Sequence, residues 1–182
     1  MSTQTESPTF TYSIDPNHST VRFWVRHMMI AKVHGELSDV KGTVTGSPEA
    51  PRAAKVDVTI GVDSFTTRND ARDGHVKSAD FLDAENFPTM HFVSKEIKSS
   101  GDGEWEVVGD FTLRGVTREI VLRAEVTPEV ASPFGGVKVG VTATGVLNRE
   151  DFGITYNQAL ETGGVLIGKE IHIQIDLELD RA

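Results

Sequence analysis

Strict alternation of apolar and polar residues near the end of the chain is the feature that most limits the fold. From residue 170 to residue 179, every second position is isoleucine or leucine, and the residues between them are Glu170, His172, Gln174, Asp176 and Glu178. Because successive side chains of a β-strand point to opposite faces of the sheet, this pattern predicts a strand with one apolar and one polar face.

The same alternation recurs along most of the chain. It predicts further strands at residues 19–27, 32–45, 55–63, 89–97, 104–113, 117–127 and 137–149. Segments rich in glycine, proline and serine lie between several of them, and these residues favour turns. Many strands with one apolar face each predict an all-β fold, a lipocalin-like antiparallel β-barrel of about eight strands. Closure is favoured because an open sheet would leave two exposed edges.

One stretch, residues 69–87, breaks the period-two pattern. Asn69 or Asp70 is a candidate N-cap, and the apolar residues that follow have loosely helical spacing. We therefore expect one short helix, near residues 70–79, that packs across an end of the barrel. The length fits one domain, residues 10–182, preceded by a flexible tail at residues 1–9.

Composition excludes several classes of function. The net charge of -9 disfavours nucleic-acid binding, because the average field repels phosphate backbones. The chain has no cysteine, so it has no disulfide, no thiolate nucleophile and no Cys-ligated metal. The six histidines lack metal-binding spacing, and no catalytic motif is complete. We expect no catalytic residue, no metal and no resident cofactor.

The targeting signals of the sequence are equally sparse. No apolar run approaches the ~20 residues that a membrane-spanning helix requires. The first ten residues, MSTQTESPTF, contain neither a basic region nor an apolar one. A secretory signal has both, so the sequence predicts a cytoplasmic protein.

Four blocks of sequence, taken in order, resemble the YceI-like polyisoprenoid-binding family. They are YSIDPNHSTVRFWVRH at residues 12–27, RDGHVKSADFLDAENFPTMHFVS at 72–94, GDFTLRGVTREI at 109–120 and LNREDFGI at 147–154. The resemblance implies a lipocalin-like barrel with a helix near one end and an interior tunnel for a prenyl chain, such as a polyprenyl phosphate or a quinone. It implies binding, carriage or storage of that lipid. Many members of the family carry a secretion signal, and the start of this sequence departs from them.

An isoprenoid tunnel needs inward-facing apolar side chains, since each buried methylene contributes roughly 0.8 kcal/mol. The alternation selects as candidate lining Val21, Phe23, Val25, Val58, Ile60, Phe65, Phe81, Phe92, Phe111, Leu113, Val139, Val141 and Phe152. Met28 and Met29 are candidates for adaptable contacts at a rim. Period-two spacing does not distinguish a hollow barrel from one filled by these same side chains.

Three polar residues are candidates for binding a head group. His27 continues the inward parity of Val25 and could donate a hydrogen bond to a head-group oxygen. Arg72 and Arg149 either form ion pairs with the nearby Asp73 and Asp151, or bind a pyrophosphate.

Two other functions stay open on the sequence alone. The first is an enzyme acting on an isoprenoid lipid, with His27 and a nearby carboxylate as acid and base. The second is a solid barrel whose outer face binds a protein partner through Trp24 and its flanking arginines. The same outer face is a candidate homodimer interface.

Overall fold

The computed structural model describes residues 7–182, which form a closed antiparallel β-barrel. The strands are β1 (Phe10–Ile14), β2 (Thr20–His27), β3 (Ala31–Leu37), β4 (Val40–Gly46), β5 (Lys55–Gly61), β6 (Thr89–Gly101), β7 (Glu104–Leu113), β8 (Val116–Val126), β9 (Val130–Ala131), β10 (Val137–Asn148) and β11 (Glu170–Arg181). The helix α1 spans Asp70–Lys77, and 3-10 turns cover Pro51–Ala53, Val62–Ser64 and Arg149–Phe152.

Eight strands form the closed ring. Hydrogen bonds connect β11, β1, β4, β5, β6, β7, β8 and β10 in that order, and β10 pairs again with β11. Every pairing is antiparallel. The predicted all-β barrel of about eight strands with one short helix is confirmed. Of the predicted tail, residues 1–6 lie outside the described residues, and residues 7–9 are exposed and precede β1.

At two places in the barrel wall, two short strands follow one another where a single long strand would fit: β1 with β2, and β3 with β4. The prediction of a single strand over residues 32–45 is therefore wrong. β3 and β4 replace it, separated at Ser38 and Asp39. There the backbone bonds to the turn after β5: Ser38 N donates to Ser64 Oγ, and Asp39 O accepts from Gly61 N. On the other side, β1 and β2 both pair with β11, and β2 pairs with β3. β2 and β3 thus continue the positions of β1 and β4 along the barrel wall, and residues of both strands line the interior.

The longest register in the barrel fixes which side chains face inward. β10 and β11 pair from Lys138 opposite Asp180 to Asn148 opposite Glu170. The apolar residues of both strands therefore share one face over the whole height of the barrel. At the end where β11 finishes, Tyr12, Val139 and Leu179 are buried and pack around a small pocket of about 50 Å³.

The helix α1 is held at the opposite end, called the helix end below. Asn69 is its N-cap and accepts a hydrogen bond from Arg72 N at 2.9 Å. Asn69 was one of the two N-cap candidates predicted from the sequence. Asp73 anchors the helix, since its carboxylate accepts from Thr67 N, Thr67 Oγ1 and Thr66 Oγ1. Burial opposes ionisation of Asp73, but these hydrogen bonds outweigh it and lower the pKa of its carboxyl. Thr66 in turn pairs by backbone with Glu36 of β3.

Within the described residues, no helix is long and apolar enough to cross a bilayer.

A cluster of charges fastens the barrel where β1, β10 and β11 meet. The Lys138 ammonium lies 3.1 Å from Asp15, 2.7 Å from Glu178 and 2.7 Å from Asp180. These contacts, led by those with Asp180 and Glu178, raise the pKa of Lys138. Ligand atoms of Asp15, His18 and Glu178 lie within 4.8 Å of one another. An ammonium already bridges both carboxylates, so the cluster is a salt-bridge network rather than a metal site.

Replacing Asp15 by asparagine is expected to destabilise the protein in a pH-dependent way. Hydrogen bonds from His18, the Asn17 N–H and Lys138 lower the pKa of Asp15 from 3.8 to about 2. That stabilisation is present above the ordinary Asp value and is lost as pH falls through about 2. The same contact raises the pKa of His18, whose contribution is complete below 6.5 and is lost as pH rises through the raised value.

Urea unfolding as a function of pH checks this prediction. The difference in unfolding free energy between wild type and Asp15→Asn is expected to be largest between roughly pH 4 and 6.5 and to shrink on both sides. Asp102→Asn, at an exposed turn, is the control and should leave the profile unchanged. A difference that does not vary with pH would contradict the assignment.

Candidate ligand-binding site

The barrel encloses a cavity of about 590 Å³. Its wall is built from inward-facing side chains of β2 to β8, β10 and β11, with further residues from α1 and the segment at residues 154–167. Fourteen predicted site residues lie on this wall: Val21, Phe23, Val25, His27, Val58, Ile60, Phe65, Arg72, Phe81, Phe92, Phe111, Leu113, Val141 and Arg149. The interior is therefore hollow, and the alternative of a solid barrel is wrong.

Four predicted residues lie elsewhere. Val139 has the inward parity but sits below the cavity, against Tyr12 and Leu179. Phe152 is 1 % exposed and packs edge-on against Phe111 at a centroid distance of 5.6 Å, in the turn after β10. Met28 and Met29 lie at the exposed β2–β3 turn, outside the cavity wall. Parity predicts the face of a residue, but not its height in the barrel.

Several wall residues were missed although their sequence pattern was plain. β11 contributes four aliphatic side chains from the strictest alternation in the chain: Ile171, Ile173, Ile175 and Leu177. The segment at residues 154–167 has no such alternation, and no sequence pattern predicted that it would contribute Ile154, Tyr156, Gln158, Leu166 and Ile167. Its position depends on tertiary contacts.

Polar side chains on the wall gather at the helix end. Apart from the Trp105 indole, the polar side chains facing the cavity are those of His27, Thr67, Arg72, His75, Arg149, Tyr156 and Gln158. Arg26 also lies on the wall, and its guanidinium lies 5.6 Å from the Trp24 ring centroid. Among the described residues, no aspartate or glutamate lines the cavity. The cavity surface itself is almost wholly apolar, so these residues contribute mainly carbon to it, and their polar groups gather around its helix end.

Arg149 is the structural centre of the helix end. It is 3 % exposed, and its guanidinium donates to the carbonyls of Gly168, Ile154, Tyr156 and Ile167 at 2.8–3.3 Å. Burial lowers the pKa of Arg149 from its ordinary value, yet a guanidinium stays protonated in proteins. Carbonyl dipoles thus hold a buried cation and fix the segment from Ile154 to Gly168.

Neither predicted ion pair of the arginines forms. Arg149 bonds the carbonyls just described, and Asp151 is exposed. Arg72 donates through Nε to Thr67 Oγ1 at 2.7 Å and through one terminal nitrogen to Thr67 O at 3.1 Å, while Asp73 is taken by Thr66 and Thr67. The prediction failed because backbone and hydroxyl groups form the hydrogen bonds of these residues instead. A pattern of charged residues does not reveal such partners.

An aromatic contact joins the helix to the 154–167 segment. The His75 ring lies edge-on to Tyr156 and to Phe81 at centroid distances of 4.9 and 5.1 Å. His75 Nε2 also lies 2.8 Å from Asp80 Oδ2. These rings cover the cavity at the helix end and place the Tyr156 hydroxyl beside Gln158, whose amide donates to it at 3.0 Å.

Comparison with known proteins gives the family. A model of the YceI-like domain matches residues 12–179. The chain belongs to the YceI-like family. A UPF0312 protein of Staphylococcus aureus strain MSSA476, SAS2572, is 38 % identical over 168 residues, which cover 92 % of this chain and 95 % of that protein. The resemblance predicted from the four sequence blocks is confirmed.

Two solved structures share the YceI-like fold. The crystal structure of Burkholderia cenocepacia BcnA aligns with a TM-score of 0.79 at 21 % identity, covering 91 % of this chain and 98 % of BcnA. A chain from Saccharophagus degradans, described as a polyisoprenoid binding domain implicated in plant cell wall breakdown, aligns with a TM-score of 0.70 at 12 % identity. That alignment covers 95 % of this chain and 99 % of the domain. At these identities the likeness concerns the fold.

Proposed function

We propose that this protein binds and carries a long apolar lipid of the isoprenoid class inside its barrel without transforming it. The observation that carries the proposal is the cavity of about 590 Å³, whose wall is almost wholly apolar. Small-molecule sites span roughly 300–1,000 Å³ and are mostly apolar with a few placed polar groups. The description of the Saccharophagus degradans domain as polyisoprenoid binding supports the same class of ligand.

The head group is proposed to be an anion such as a phosphate. The net charge of -9 repels anions on average, so an anionic head group requires local cations and donors. The helix end supplies Arg72 and His27 for this role, because the Arg149 guanidinium bonds backbone carbonyls and His75 Nε2 lies 2.8 Å from Asp80 Oδ2. Arg72 is the best placed, because its second terminal nitrogen has no acceptor among the described residues. A neutral quinone is the alternative head group, and it would gain less from these charges.

Native mass spectrometry with organic extraction tests the binding function. We expect the purified protein to carry an extractable lipid, or to take up geranylgeraniol or its monophosphate in a one-to-one ratio. Recovery of the lipid unchanged after incubation is expected for a carrier. Repeatedly empty protein that takes up neither probe would refute the proposal, and a modified lipid would refute its non-catalytic part.

Substituting Arg72 by glutamine is expected to weaken binding of geranylgeranyl monophosphate and to spare geranylgeraniol. A charge-assisted hydrogen bond contributes about 1.5–3 kcal/mol when buried, but Arg72 is exposed, so solvent screening reduces the effect to about 3–10-fold. Isothermal titration with both probes gives the comparison. Arg68→Gln removes a nearby exposed arginine that does not line the cavity and should change neither affinity. Equal losses for alcohol and phosphate would argue against a phosphate contact.

The enzymatic alternative needs an acid or base beside His27. The described part of the cavity wall contains no carboxylate to pair with that histidine, which favours the carrier. The cytoplasmic location and the homodimer stay predictions, and cell fractionation and light scattering measure them.

A further inference from the structure

The tip of the β2–β3 hairpin exposes three consecutive large apolar side chains. Met28, Met29 and Ile30 are 41, 58 and 78 % exposed. Met28 and Met29 have φ values of 51° and 63°, in the left-handed region that glycine and asparagine normally occupy in such turns. Turn chemistry alone would therefore favour other residues at these positions.

The tip is held in place by backbone hydrogen bonds. Met28 N donates to Leu166 O at 2.8 Å, and Ile30 N donates to His27 O at 3.1 Å. Leu166 and His27 both line the cavity. The apolar tip therefore projects from the helix end of the barrel, next to the polar part of the cavity wall.

Cations and an aromatic ring lie directly behind the tip. Arg26 and Lys32 are paired across β2 and β3. Lys32 Nζ lies 4.2 Å from the Trp24 ring centroid, and the ring stacks on His172 at 3.7 Å. Among the described residues, neither Arg26 nor Lys32 forms a salt bridge. The neighbouring segment at residues 154–167 contains one acidic residue, Glu161. An apolar tip followed by Trp, Arg and Lys is the arrangement found at membrane interfaces.

The opposite end of the barrel exposes an aromatic side chain among several acids. Phe134, in the turn before β10, is 97 % exposed, but Asp15, Glu129, Glu178 and Asp180 lie at that end with Lys138 and Arg181 between them. Cations that could contact lipid phosphates therefore lie beside the β2–β3 tip, whereas acids outnumber bases around Phe134.

We infer that the β2–β3 tip docks the barrel on an anionic lipid bilayer. Met28, Met29 and Ile30 enter the boundary between head groups and acyl chains, and Arg26 and Lys32 contact lipid phosphates. Docking brings the helix end of the cavity to the surface from which an apolar guest is taken or to which it is delivered. This inference goes beyond the proposed function, because docking and guest binding are separate events that can be measured independently.

Co-sedimentation with phosphatidylcholine vesicles, with and without phosphatidylglycerol, tests the docking. We expect wild type to bind the phosphatidylglycerol vesicles and to release them as salt is raised. Met29→Asn/Ile30→Ser should bind at least about tenfold more weakly, and asparagine tolerates the left-handed conformation at position 29. Lys32→Gln, at a residue outside the cavity wall, should lose about fivefold on the same vesicles, since each surface cation contributes about fivefold.

Phe134→Ser is the matched control, because it removes an exposed apolar side chain from the opposite end and should leave vesicle binding unchanged. Uptake of geranylgeraniol in vesicle-free solution should be preserved in all variants and verifies their folding. The inference would be overturned if wild type did not co-sediment with the phosphatidylglycerol vesicles, or if the tip variants bound them as well as wild type. So would a wild-type dimer that the tip substitutions convert to a monomer without affecting vesicle binding, because the tip would then bind a second copy of the chain.

Discussion

Tryptophan in place of Ala143 is expected to weaken guest binding strongly while leaving the barrel folded. Ala143 is a buried residue of β10 whose side chain lines the cavity, opposite Ala124 of β8 and Ile175 of β11. In a solid core such an enlargement costs about 1–3 kcal/mol. In a hollow barrel the indole enters empty space, so the free energy of unfolding should change by less than about 1 kcal/mol. Guest affinity should fall at least about tenfold, which corresponds to about 1.4 kcal/mol.

Thr144→Trp is the matched control for this substitution. Thr144 is the next residue of β10, it points outward, and it is exposed. The control should leave both affinity and stability unchanged. Isothermal titration with geranylgeraniol measures the affinity, and urea unfolding measures the stability. Normal guest binding by Ala143→Trp would place the guest outside the barrel, and a loss of stability typical of overpacking would contradict the hollow interior.

Much of this hollow could be predicted because β-strand geometry converts sequence parity directly into an inward or outward direction. Val21, Phe23 and Val25 face the cavity for that reason, and so do Val58 and Ile60. The helix was predictable from a broken period and a capping side chain, and Asn69 does cap it. These features depend on residues close together in sequence.

Features that depend on distant partners could not be predicted in the same way. Val139 shares the parity of Val141, but Tyr12 and Leu179 fill the barrel at its level. The break at Ser38 and Asp39 exists because their backbone bonds to a turn more than twenty residues later. A periodic pattern contains no information on either contact.

The helix end was the least predictable region, since its organisation depends on a charge held by carbonyl groups. Sequence reasoning paired Arg149 with Asp151, because opposite charges close in sequence suggest an ion pair. The actual acceptors lie 5–19 residues away in an irregular segment. No side-chain pattern marks a carbonyl as an acceptor, so only the fold reveals the role of Arg149.

Methionine in place of Arg149 is accordingly expected to cause the largest loss of stability, about 3 kcal/mol. Methionine fills similar space but leaves four carbonyl oxygens without their donor, and a buried polar group without a partner costs about 1–3 kcal/mol. Water that enters the loosened segment relieves part of this cost. Arg149→Lys should recover only part of the loss, because one ammonium cannot reach carbonyls on both sides as the planar guanidinium does.

The loss should be localised, which hydrogen exchange measured alongside urea unfolding can verify. Amides bonded within or to the segment, such as Leu166 N to Gln158 O and Gly168 N to Arg26 O, should exchange faster in Arg149→Met than those between β6 and β7. Guest affinity should also fall, because Ile154, Tyr156 and Ile167 of this segment form part of the cavity wall. Arg118→Met removes an exposed arginine that bonds one neighbouring carbonyl and should change stability by no more than about 0.5 kcal/mol. If Arg149→Met were as stable as this control, the Arg149 guanidinium would not hold the helix end in place. The buried guanidinium would then have to be explained by a role in guest binding.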